Sequence, residues 1–229
     1  MVATPQRKVI AVSARRVFTV EHLAYVALAA LAVVLHLWVL GGRALHHDET
    51  IHAFYSWTLY KGQGYLHDPL THGPFLYYWT ALQYMLFGDN EFTARLGAAL
   101  FGIALTLLPW LLRSDLGKGT ALLTATYLLI SPVALYVGRF IRHDIFAVTW
   151  ELLCLIAILR YVATRRVRWL YIFFAAFALM YVTIETSYLF TLTLGTFILL
   201  VTIWQVNRRL LLALGIYALL AVGLLTLLP

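Results

Sequence analysis

Charge is scarce in this chain: Lys, Arg, Asp and Glu make up 12% of its 229 residues, while 62% are hydrophobic. Soluble globular domains run at roughly 25% charged and 45–50% apolar. With a mean hydropathy of +0.84, a water-soluble globule is excluded, and lipid is the solvent for most of the sequence. Cysteine occurs once, as Cys154 inside an apolar run, which excludes both a disulfide framework and a cysteine-based zinc site. Acid is the scarcer sign, ten residues against seventeen basic ones for a net charge of +7. The Lys and Arg residues stand at the ends of apolar runs, a pattern that orients a protein in a membrane rather than one that binds nucleic acid.

A hydrocarbon core of about 30 Å needs about 20 apolar residues at about 1.5 Å each. Runs of that kind cover roughly 21–40, 93–112, 119–138, 144–162, 169–186, 187–206 and 210–228. The first follows Arg7, Lys8, Arg15 and Arg16 but is too long for a signal peptide and has no small-residue cleavage site, so it reads as an uncleaved span. The expected organisation is an all-α polytopic bundle of about seven spans over residues 21–229, preceded by a cytoplasmic segment, 1–20. Its long polar stretch, 41–91, contains an apolar segment, 75–87, whose placement decides the topology.

If 75–87 does not cross, twelve basic residues fall inside and five outside (Arg43, Lys61, Arg95, Arg139 and Arg142). If it crosses, the balance reverses to seven against ten. The positive-inside rule selects the first arrangement, and Tyr77, Tyr78, Trp79 and Tyr84 favour a helix lying along the membrane surface. Loop 41–91 is then external, and residues 50–60 form a second interfacial helix closed by Gly62 and Gly64.

Under this topology seven of the ten acids and six of the eight histidines lie on the outer side, which locates function there. The densest cluster is His46-His47-Asp48-Glu49-Thr50-Ile51-His52. A helix opening near Asp48 puts that residue and His52 on one face, able to reach one ion or substrate. Acids at a helix start also act simply as caps. A second cluster is Thr71-His72-Gly73-Pro74, with His67 and Asp68 before it. His72 is either a ligand or an interfacial polar residue. A third is Arg139-Phe140-Ile141-Arg142-His143-Asp144, whose two outer-side arginines call for an anion: a donor phosphate, Asp144, or lipid headgroups.

In order and spacing these residues resemble the GT-C-type membrane glycosyltransferases, in the branch of the protein O-mannosyltransferases and lipid A aminoarabinose transferases. The resemblance runs from His47-Asp48-Glu49 through Thr71-His72-Gly73-Pro74-Phe75-Leu76-Tyr77-Tyr78-Trp79, Phe87-Gly88, and Thr93-Ala94-Arg95-Leu96-Gly97 to Ser131-Pro132 and Arg139 to Asp144. It covers roughly residues 20–190 and is most like a subgroup associated with flippase activity. Here His-Gly-Pro stands where the family often has His-Pro-Pro.

The resemblance implies a GT-C-like fold and transfer of a sugar from a polyprenyl-phosphate-linked lipid to a protein, lipid or glycan acceptor outside the cell membrane. It makes Asp48 the catalytic carboxylate with Glu49 beside it, and assigns the donor phosphate to Arg139, Arg142 and Asp144. His72, with Asp48 or Glu49, becomes the candidate set for a divalent metal ion, while His47, His52 and Glu185 are secondary. It also implies further spans and a C-terminal external domain, so the chain reads as C-terminally truncated. The alternative is a non-catalytic flippase accessory or scaffold with the same fold. An ion-coupled transporter ranks last, because only Glu151 lies near a bilayer midplane and no paired halves are visible.

Overall fold

The computed structural model describes residues 19–65 and 72–227. The N-terminal basic residues Arg7 to Arg16, and His67, Asp68 and Thr71 of the polar loop, lie outside the described residues. Among the described residues the structure is helical throughout: α1 (Val20–Leu37), α2 (His47–Tyr60), α3 (Phe75–Phe87), α4 (Glu91–Leu107) running into a 3-10 turn (Leu108–Leu112), α5 (Lys118–Ile130), α6 (Pro132–Val137), α7 (Asp144–Thr164), α8 (Arg168–Tyr181) and α9 (Ser187–Leu227). α1 packs along α4, α4 meets both α3 and α7, and α8 lies along α7.

Four stretches are long and apolar enough to cross a membrane: Val20–Leu37, Glu91–Leu112, Asp144–Thr164 and Ser187–Asn207. The chain is a multi-pass membrane protein, but four of the seven expected spans are altered. The run 119–138 is broken at Ser131-Pro132, because proline lacks the N–H for an i−4 bond and forces the residue before it out of helical geometry. Ser131 accordingly has ψ 119° and caps α6, accepting the Ala134 N–H at 3.4 Å. α8 stops at Tyr181, short of residue 186. The last two runs meet without a loop at Asn207, whose φ −153° and ψ 82° mark a kink.

Segment 75–87 forms a helix with the expected bounds, and its 13 residues extend only about 20 Å, too short to span. It does not lie free on a surface, however. Leu76, Tyr77, Thr80, Ala81, Gln83 and Tyr84 are buried, and Phe75 and Trp79 join Phe101, Phe146 and Trp150 in an aromatic cluster with edge-to-face contacts down to 4.7 Å. The aromatic residues expected at headgroup depth are therefore mostly core, with Tyr78 the exposed exception. Such pairs contribute about 0.5–1.5 kcal/mol each beyond area burial.

Packing sorts the polar residues to two ends. At one, Glu21 of α1 meets Lys118 at 3.1 Å and Arg113 at 3.8 Å, and Arg160 of α7 meets Asp115 at 3.4 Å. At the other, beyond the C-terminus of α1 and before the N-terminus of α7, stand the histidines and acids of α2 and the turns preceding α3 and α7.

Candidate active site

α2 opens with a capping box built from unusual residues. The His46 ring nitrogen Nδ1 accepts the Asp48 N–H at 3.3 Å, and Glu49 returns to accept the His46 N–H at 2.9 Å, satisfying donors that a helix start leaves open. Glu49 is fully buried. Arg95 of α4 donates to it twice, Nε to Oε1 at 2.7 Å and Nη2 to Oε2 at 2.8 Å, and Arg43 donates from Nη1 to Oε2 at 2.7 Å. The other Arg95 donors go to the carbonyls of Leu40, Arg43 and Ala44, each at 3.1 Å, so all five of its N–H groups are used. Burial works against the Glu49 charge, but the hydrogen bonds from Arg95, His46 and Arg43 outweigh it and hold the carboxyl down at about 2. A carboxylate so gripped neither reaches substrate nor takes a proton near neutrality. The expectation of a catalytic Glu49 is corrected: its partners consume its lone pairs, and it ties α2 to α4 and to the end of α1.

Asp48 points the other way. It lines a cavity of about 600 Å³ with His47, Thr50, Ile51, His52, Phe54, Tyr55, His72 and Arg142. Its side chain is 43% exposed, and the Arg142 Nη1 lies 3.7 Å from Oδ2. Arg142 also donates from Nε towards Asp144 at 3.1 Å. Exposed pairs like these contribute little net energy, so an incoming phosphate can displace them at small cost. Asp144 is thus the carboxylate partner of Arg142, and like charge with a phosphate argues against its binding one directly.

His52 and His72 line the cavity, and a third histidine, His143, packs behind them. His143 is fully buried and packs its ring against His52 and His72, with centroids 5.0 Å apart in each case. Its Nε2 faces the Gly73 carbonyl at 3.2 Å, and His52 Nδ1 faces the Tyr77 hydroxyl at 3.1 Å. Burial first, then the neighbouring His52 and His72, push His143 down to about 3. Burial and His72 together with Arg142 bring His52 to about 4 against the pull of Asp48 and Asp144. Both rings are neutral near pH 7.

His72 adopts φ +64°, and its Nδ1 meets Glu185 Oε2 at 2.7 Å, across 113 residues of sequence. The Gly73 N–H donates to Thr183 O at 3.2 Å and the Phe75 N–H to Val182 O at 3.0 Å. A Cβ on Gly73 would stand 2.3 Å from Val182 O. Proline here would lose the N–H and any side chain would collide with the carbonyl, which is why this turn carries His-Gly-Pro. Gly73→Ala is expected to cost about 1–3 kcal/mol, the range for overpacking, and to separate Glu185 from His72. Thermal unfolding in detergent checks this, and an unchanged midpoint would mean the contact relaxes freely.

Arg139 is not in this cavity. It donates to the carbonyls of Leu35 and Trp38, the latter at 2.7 Å, at the C-terminus of α1. The expectation that it joins Arg142 on one phosphate is corrected: both stand in the turn between α6 and α7, but Arg139 is directed at the α1 terminus while Arg142 faces Asp48 and Asp144. The expected metal set is not assembled either. Among the described residues no three His, Cys, Asp or Glu side chains come together to hold a metal ion. Glu49 is taken by two arginines and His72 Nδ1 by Glu185. The sequence assigns no site role to Arg95, Arg43 or His143. A lone charge in an apolar run, as Arg95 is, calls for a buried partner, and that was the available signal.

The family model described as dolichyl-phosphate-mannose-protein mannosyltransferase matches residues 71–229. Two crystal structures of ArnT from Cupriavidus metallidurans are similar in fold. In the apo state the TM-score is 0.70 at 27% identity, and with undecaprenyl phosphate bound it is 0.70 at 26%. Both cover 86% of this chain and 39% of that one, so the chain spans well under half the length of ArnT. Comparison with the curated proteins finds no match. The superposition bears out the GT-C-like helical architecture expected from sequence. With well over half of its length matched by the family model, the chain belongs to the dolichyl-phosphate-mannose-protein mannosyltransferase family.

Proposed function

We propose that this chain is the membrane core of a glycosyltransferase that moves a sugar from a polyprenyl-phosphate-linked donor to an acceptor on the outer side of the cell membrane. The observation that carries the reading is one cavity at one end of the bundle lined by both a half-exposed carboxylate, Asp48, and a cation with displaceable partners, Arg142. The likeness to an ArnT structure holding undecaprenyl phosphate supports a polyprenyl phosphate as the lipid. Segregation of Glu21, Arg113, Lys118 and Arg160 to the opposite end agrees with the positive-inside reading and supports an external site.

The chemistry needs few groups. Asp48 accepts the proton of the acceptor hydroxyl as its oxygen attacks the anomeric carbon. The bond from that carbon to the phosphate oxygen breaks, and the phosphate departs with the electron pair, its growing charge met by the Arg142 guanidinium. His72, braced by Glu185, and neutral His52 orient sugar or acceptor from the wall, with His47 at the rim. Glu49 acts through position, holding the α2 N-terminus that aims Asp48.

Donor kinetics of the full-length protein test this. Arg142→Ala is expected to raise the apparent KM for the lipid-linked donor about tenfold or more, the scale of a lost charge-assisted hydrogen bond. Arg142→Lys should fall between, keeping charge without the planar fork. A KM unmoved by Arg142→Ala would take this residue out of the donor site.

A further inference from the structure

A second cavity, of about 550 Å³, is lined by residues of the α1 end (Leu35, Trp38, Val39, Leu40), the turn at Gly42 and Arg43, and α6 with Arg139, and shares no lining residue with the cavity of Asp48. We propose that this groove binds an anionic phospholipid of the surrounding membrane, with its phosphate between Arg43 and Arg139 and its acyl chains along α1 and α6.

The groove has two chemistries, and an anionic lipid matches both. Its lining contains no acid. Glu49 is one carboxylate shared by two arginines, Arg43 and Arg95, and Arg139 makes no ion pair among the described residues. This corner therefore carries an excess of two positive charges. Arg139 does cap the α1 carbonyls, but the terminus of a helix offsets only about half a charge. A phosphate would complete the balance through charge-assisted hydrogen bonds. The rest of the groove is apolar. Leu35, Leu40, Pro132 and Leu135 line it, and Trp38 and Tyr136, also in its lining, stand 70% and 60% exposed. Aromatic residues of that kind sit at headgroup depth, which puts the arginines where a phospholipid phosphate lies. Because Arg43 also grips Glu49 at 2.7 Å, a lipid held here bears on the element that aims Asp48.

Trp38 is its own reporter. Full-length protein in nanodiscs is titrated with brominated phosphatidylglycerol or brominated phosphatidylcholine, and the emission lost on Trp38→Phe isolates its signal. Quenching by the anionic lipid is expected at about one-tenth the mole fraction needed by the zwitterionic one. Arg139→Gln and Arg43→Gln should bring the two lipids together, and Arg139→Lys should retain part of the preference. Should either glutamine variant fail to fold, Tyr136→Glu adds an acid at the rim with both arginines in place and should also abolish the preference. Equal quenching by both lipids in the parental protein would overturn the proposal, leaving ordinary bilayer contact. Relief of quenching by inorganic phosphate would make this a free-anion site. Displacement of phosphatidylglycerol by undecaprenyl phosphate at far lower mole fraction would assign the groove to the donor. Either result would equally overturn the proposal. The readout needs no sugar transfer, so it stands or falls apart from the enzymatic reading.

Discussion

Asp48→Asn in the full-length protein is expected to slow sugar transfer about 10²–10⁴-fold, the scale of general-base catalysis, with the fold retained. Sequence left a competing role open, since an acid at a helix start stabilises the helix as a cap. The structure divides these jobs among neighbours: the His46 ring caps the Asp48 N–H, Glu49 caps the His46 N–H, and the Asp48 side chain is left facing the cavity. Asparagine keeps the size and an acceptor oxygen but has no charge with which to take a proton. The expected signature is a fall in single-turnover rate with a lipid-linked donor and little change in thermal midpoint. Transfer at the parental rate would end the catalytic assignment of Asp48, and a fall in rate matched by a fall in midpoint would return it to a structural role.

Arg95→Leu should produce the opposite pattern, a stability loss of about 3–5 kcal/mol, because removing one partner of a buried ion pair strands the other. Glu49 would keep Arg43 as its one cationic partner, and the carbonyls of Leu40, Arg43 and Ala44 would lose their donor together. Arg95→Lys should rescue little, having three donors and no planar fork for five acceptors. The same node sets an acid limit. Glu49 titrates near 4.5 when unfolded and at about 2 when folded, so its contribution, on the order of 3 kcal/mol, is fully present above pH 4.5 and declines as pH falls towards 2. Thermal midpoints across that range check it, and Glu49→Gln should flatten the decline. A midpoint unchanged in Arg95→Leu would show that the buried network contributes nothing net.

Glu49 and Arg95 also mark where sequence reading stopped. Asp48 and Glu49 are adjacent and chemically alike, and the motif treats them as one unit. Successive helical positions point about 100° apart, so one faces the cavity and the other the core. Which is which depends on α4 lying behind α2. Arg95 counted only as a charge on the unfavoured side of the membrane, because its acceptor is 46 residues away and no local pattern announces such a pair. Arg139 and Arg142 were likewise grouped because they are three residues apart. Both stand in the turn between α6 and α7, whose course sends their side chains to different cavities.

Composition and patterning alone determined that the chain lives in lipid, that it is helical and that 75–87 is a helix too short to cross, and they marked Asp48, His72 and Arg142, which the fold brings to one cavity. Those properties follow from the length of apolar runs and from short-range spacing, which a sequence displays directly. Proline's missing N–H at Pro132 is equally local, and the helix break there follows from it. The tertiary structure alone decided that Tyr77 and Trp79 are core rather than membrane rim, that Glu185 braces His72, and that Glu49 is locked while Asp48 is free. Each depends on which residues distant in sequence share a low-dielectric interior. There a carboxylate is held charged by the guanidinium groups packed against it, and neither their distance nor their direction is written in local spacing.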